Sequence, residues 1–159
     1  MTREEIKTYT MQISQANASA LLCIAYDLWE HFAEEAQTAY ENTQQDAYQH
    51  ALKKLQRVNQ EIISMLNREN ACASDVRTIH FFINQKIVAC MVKHQPVELE
   101  RIQQIVKKLH QSFMEICRRD TDAPLMSNTQ QVYAGLTYGR GTLNESMDPM
   151  AVSDRGFFA

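Results

Sequence analysis

Upstream of residue 120 the chain has no glycine and a single proline, Pro96; all four glycines (Gly135, Gly139, Gly141, Gly156) and the other prolines (Pro124, Pro149) come later. Glycine and proline supply the special backbone angles of turns, so their scarcity argues against a many-stranded sheet. An excess of basic residues is also missing. The formal net charge is −3, against the basic face a nucleic-acid binder needs, and the doublets Lys53–Lys54, Lys107–Lys108 and Arg118–Arg119 fall on separate segments. No uncharged apolar run approaches the roughly 20 residues of a membrane span. The N-terminal stretch MTREEIKTYT is charged and has no apolar signal core, so the expectation is a cytoplasmic protein without membrane insertion. The four cysteines, Cys23, Cys72, Cys90 and Cys117, form no C-x-x-C pair and are expected to be reduced thiols.

What the chain has instead is helical periodicity. Asn17 is a favoured N-cap, and Leu21, Leu22, Ala25, Tyr26, Trp29, Phe32, Ala33, Ala36 and Tyr40 follow at three- and four-residue steps. Glu41 to Gln45 break the pattern. A second stripe carries Tyr48, Ala51, Leu52, Leu55, Val58, Ile62, Met65 and Leu66, running out near Asn67–Asn70. Ser74 suits the N-cap of a third helix with Val76, Ile79, Phe82, Ile83, Ile87, Cys90 and Met91 inward. Phe81, Val88 and Ala89 widen that stripe beyond one seam. Pro96 suits the first turn of a fourth helix, with Leu99, Ile102, Val106, Leu109, Phe113 and Ile116 as its stripe and Arg118–Arg119 at its end. Short connections between long helices favour antiparallel neighbours.

The expected fold is therefore all-α: an antiparallel up-down-up-down four-helix bundle over residues 17–120. A short helical cap segment over 1–16 precedes it, marked by Ile6, Tyr9 and Ile13, and an irregular tail over 121–159 follows. The tail is polar with apolar islands at Val132–Tyr138 and Phe157–Phe158, candidates for a plug in the bundle's own groove.

Catalytic chemistry finds no support. A di-iron bundle needs two Glu-x-x-His repeats so that both ligands share a helix face, and no glutamate here has a histidine three residues on. His50, His80, His94 and His110 are scattered, which favours separate surface or boundary roles. Gly139-Arg140-Gly141 lacks the lysine of a phosphate loop. No enzyme, cofactor or metal is expected. Binding through apolar surface remains: either the bundle buries the wide third helix on two sides, or part of that surface awaits a partner helix.

Several stretches then carry a resemblance. Tyr9-x3-Ile13-x2-Ala16-Asn17, Leu21, Tyr26-Asp27, Phe82-Ile83-Asn84-Gln85-Lys86-Ile87 and Leu109-x3-Phe113 occur in an order and spacing similar to the FliS-type flagellin export chaperones. Asn17-Ala18 stands where that family has Ser-Pro, Leu28 where it has glycine, and Gln85-Lys86 where it has an arginine pair. The resemblance implies a cytosolic chaperone that binds the disordered C-terminal segment of flagellin and blocks premature polymerisation, with export-gate components as further partners. A helical adaptor for another secreted or self-assembling protein is the alternative.

The resemblance also implies a displaceable N-terminal segment, here Ile6 to Ile13 with Tyr9 as its anchor. Tyr26 and Asp27 become candidates for client contact, although Tyr26 fits a buried position with a bonded hydroxyl equally well. Phe81, Val88 and Met91 are the candidate client groove.

Overall fold

A computed structural model describes residues 2–66 and 71–126, all within the first of two units, Met1–Ser127. Five helices and no strand occur among the described residues: α1 (Arg3–Ser14), α2 (Ala18–Glu41), α3 (Gln45–Met65), α4 (Ala71–Lys93) and α5 (Leu99–Arg119). The expected break at Asn67–Asn70 and the islands Val132–Tyr138 and Phe157–Phe158 lie outside the described residues.

Each start has a local cause. Thr2 and Glu5 form a capping box on α1: the Thr2 hydroxyl accepts from the Glu5 amide at 3.3 Å and the Glu5 carboxylate accepts from the Thr2 amide at 2.7 Å. Asn17 caps α2 as expected, accepting from the Ala20 amide at 2.9 Å. Ser74, expected as the N-cap of α4, lies inside its first turns instead. Ala71 to Ala73 extend the helix backwards because alanine is the best helix former and Ala73 packs on the core. Pro96 likewise precedes α5 rather than opening it. It sits in a turn that ends at Glu98, whose backbone is left-handed (φ 57°) and whose carboxylate binds Lys86 and, at 3.0 Å, Arg101.

Helix α2 packs against α3 and α5, α3 against α4, and α4 more lightly against α5; α1 rests on α2. Their shared core includes Trp29, Phe32, Tyr48, Leu52, Leu55, Ile62, Ile83, Ile87, Leu99, Ile102 and Val106, so most of each expected stripe is buried. Two positions differ. Met65 is exposed because α3 ends there and the extended Leu66 turns inward in its place. Ile116 is 54 % exposed. Val106, His110, Phe113 and Cys117 form the inner face of α5, and Ile116 is rotated away from it by about 100°.

Beyond α5 the chain folds back onto the start of α2. Asp120 accepts a hydrogen bond from the Ser19 hydroxyl, Asn17 Nδ2 donates to the Asp122 carbonyl at 3.2 Å, and the Leu125 amide donates to the Ala16 carbonyl at 3.0 Å. A carboxylate beside a helix N-terminus is electrostatically favourable. The hydrogen bonds from Ser19 and from the Asp122 amide hold the Asp120 carboxyl below its ordinary range.

The α2–α3 connection shows how a stretch without glycine makes its turns. The Thr43 amide donates to the Tyr40 carbonyl and the Gln44 amide to the Ala39 carbonyl, both at 2.9 Å, the bond pair of a Schellman motif. Its left-handed position is held by Thr43 at φ 60°, a β-branched residue where glycine is favoured. Thr43→Gly is expected to stabilise the protein by about 0.5–1 kcal/mol, read as a rise of a few degrees in the thermal unfolding midpoint.

Candidate functional site

The polar interior of the bundle starts from three residues on core stripes. Asn59 is one turn from both Leu55 and Ile62, and His80 is one turn before Ile83 and two before Ile87, so both face inward on α3 and α4. Tyr26, also fully buried, reaches them from α2. Asn59 Nδ2 donates to the His80 carbonyl at 3.1 Å, which makes Asn59 Oδ1 the acceptor for His80 Nδ1–H at 2.8 Å. His80 Nε2 then holds a lone pair, and the Tyr26 hydroxyl donates to it at 2.9 Å. This assignment satisfies every polar group in the ladder with a neutral imidazole. Burial pushes His80 down to about 4 and raises the Tyr26 hydroxyl above its ordinary range.

Helix α5 joins the same point through stacking. The Tyr26 ring lies on His110 (centroids 5.6 Å apart, 15° between planes) and on Phe113 (5.4 Å, 23°). His110 Nδ1 is 2.8 Å from Glu30 Oε1, and its Nε2 is 3.7 Å from Asp27 Oδ1. Asp27 and Glu30, one turn apart on α2, thus bracket one imidazole. Burial raises the Asp27 carboxyl, while His110 opposes that shift.

The expected site residues separate into three places. Tyr26 takes the buried position with a bonded hydroxyl and presents no surface to a partner. Asp27 is exposed and lines a cleft between α1 and α2 with Thr2, Glu4, Glu5, Thr8, Tyr9 and Gln12. Burial, then the charges of Asp27 and Glu5, raise the Tyr9 hydroxyl. Ile13 is exposed on α1, as is Ile6.

On α4, Phe81 (51 % exposed), Val88 (38 %) and Val92 (73 %) form an outward stripe. Their steps of seven and four residues put them on one face, with Gln85 between. Met91 is not on this face. It is half-buried and packs against the core, because its helical position follows Ile83 and Ile87 rather than Val88. Val92, unremarked in the sequence, takes the outward place.

His80 and His110 depart from the expected surface or boundary roles: both are buried. Their spacing from Ile83 and from Val106 and Phe113 carried that information, since a residue three or four steps from core positions shares their face. Among the described residues no group of three or more His, Cys, Asp or Glu side chains is arranged to hold a metal ion, and no helix is long and apolar enough to cross a membrane.

The ladder makes stability depend on pH. In the unfolded chain His80 titrates near 6.5, in the fold near 4. Between those values the unfolded chain binds a proton that the folded chain refuses. The contribution of neutral His80 is therefore complete above about pH 6.5 and is lost as pH falls towards 4, on the order of 3 kcal/mol in all. Urea unfolding at pH 7.5 and 4.5 should show the decline. His80→Gln is expected to be less stable at neutral pH yet to lose most of the slope. Asn59→Ala, which strands the His80 Nδ1–H and removes the second bond on the His80 carbonyl, should cost about 1–3 kcal/mol at pH 7.5.

The five helices and the ladder all lie within one stretch that a family model also spans. The model for flagellar protein FliS matches residues 2–120, from the capping box of α1 to the Asp120 carboxylate beside Ser19. A comparison with curated proteins finds no match. With three quarters of its length inside that match, the chain belongs to the FliS family of flagellar chaperones.

Proposed function

We propose that this protein is a cytosolic export chaperone for flagellin, holding flagellin's C-terminal segment and preventing its polymerisation before export. The observation that carries the reading is the family match over residues 2–120. The outward stripe of Phe81, Val88 and Val92 on α4 supports it. A disordered client that becomes helical on binding needs apolar surface in rows at helical spacing, enough to offset its ordering entropy. Phe81 and Val88 are the proposed contact residues on this face. Tyr9, Ile13 and Asp27 form a second candidate surface where α1 rests on α2, with α1 as the displaceable cap. Export-gate components are further partners in the same reading.

The bundle itself is read as antiparallel, up-down-up-down, over α2 to α5. In each neighbouring pair the partner's number falls as the residue's number rises. Lys54 meets Glu35 and Tyr48 meets Tyr40 between α2 and α3; Asn59 meets His80 and Gln49 meets Met91 between α3 and α4; Tyr26 meets Phe113 and Glu30 meets His110 between α2 and α5.

Calorimetric titration of a flagellin C-terminal peptide into the protein tests the function. One-to-one binding at micromolar affinity or tighter, with a negative heat-capacity change, is the expected result. Phe81→Asp and Val88→Asp alter residues already exposed, so the fold should persist, while each weakens binding about ten-fold or more, roughly 1.4 kcal/mol. No binding by the unaltered protein would overturn the flagellin reading. Unchanged affinity in the double variant would remove α4 from the interface.

A further inference from the structure

The seam between α2 and α5 is tied on either side of a cysteine pair. Ser19 meets Asp120 at one end, and Tyr26 stacks on Phe113 at the other. Cys23 lies one turn beyond Ser19 and one turn before Tyr26; Cys117 lies one turn before Asp120 and one turn beyond Phe113. In a pair of helices that register sets the two residues opposite each other. The charge of Cys117 accordingly bears on the Cys23 thiol. Both side chains are half-buried, neither belongs to the buried core, and neither is in a disulfide.

We propose that Cys23 and Cys117 are a redox modification site: a low-molecular-weight disulfide such as oxidised glutathione converts them into an intramolecular disulfide that staples the beginning of α2 to the end of α5. In the first step the Cys117 sulfur, as thiolate, attacks one sulfur of the oxidant. The oxidant's S–S bond breaks, a mixed disulfide forms on Cys117, and the departing thiolate takes up the proton Cys117 released. In the second step the Cys23 sulfur attacks the Cys117 sulfur and gives up its proton, and the second oxidant half leaves as a thiol. Two protein thiols lose two electrons and two protons, and one oxidant molecule gains both as two thiols.

Burial, reinforced by Cys117, pushes the Cys23 thiol up to about 12. Cys23 therefore keeps its proton until the mixed disulfide is beside it, which suits the resolving position. Of the other thiols, Cys90 is buried with its Sγ donating to the Val97 carbonyl at 3.4 Å, and Cys72 belongs to α4 rather than to α2 or α5. Because the closed loop runs from Cys23 to Cys117, it takes in most of α2, all of α3 and α4, and nearly all of α5. A crosslink over so long a loop strongly restricts the unfolded chain.

The test uses the full chain. Reduced protein is incubated with oxidised glutathione at pH 8, residual thiols are alkylated, and the digest is mapped without reduction. The expected result is a Cys23–Cys117 linked peptide, two hydrogens lighter than its parts together, with a thermal midpoint about 5–10 °C higher. Dithiothreitol should reverse both changes, and Cys72→Ser should leave both in place. Cys23→Ser and Cys117→Ser should each abolish the linked peptide and the rise. Recovery of Cys23 and Cys117 as alkylated thiols, or as separate glutathione adducts, would overturn the site. A linked peptide without any rise in midpoint would overturn the staple.

Discussion

The Tyr26 hydroxyl donates to His80 inside the bundle, His80 donates to Asn59, and the Tyr26 ring lies against His110 and Phe113. All four long helices therefore meet around one side chain. A buried polar ladder of this kind is unforgiving. Its groups are worth little net when paired and cost several kcal/mol when stranded. A shift of α4 along its axis by one turn would keep apolar residues inward yet would separate His80 from both partners. The ladder thus selects one register among several that apolar packing alone would tolerate, and the positions of Phe81, Val88 and Val92 follow from that register.

The lightness of the α4–α5 contact explains why an apolar stripe is left outside. Helix α2 is covered by α3, α5 and α1, while α4 leans chiefly on α3. Ile83, Ile87 and Cys90 take the inward face of α4, and the apolar residues that do not fit that seam have no helix to meet. In the proposed chaperone role this surplus is the working surface. Gln85 breaks its continuity, which limits the size of any uninterrupted apolar patch.

Much of the fold was legible locally. Asn17 as a cap, the break at Glu41 to Gln45, the four long stripes and Arg118–Arg119 at the end of α5 are all consequences of neighbours within one or two turns. Where the structure departs from local expectation, the cause has the opposite character. By preference Ser74 and Pro96 belong at helix starts, but the alanines before Ser74 and the turn ending at Glu98 put both boundaries elsewhere. Met91 shares the hydrophobic character of Phe81 and Val88 but lies on the inward stripe, where its spacing from Ile83 and Ile87 also puts it. His80 and His110 look scattered along the chain because their partners are remote in sequence.

The sequence alone therefore determined the class of structure: helices, their approximate extents and their inward faces, because helical hydrogen bonds and face periodicity depend on residues three or four apart. The tertiary structure decided which polar residues are buried, which apolar residues are left outside, and that Cys23 faces Cys117. Those outcomes depend on pairings such as Tyr26 with His80 and Glu30 with His110, where the partners come from different helices. Their geometry exists only once the helices have packed.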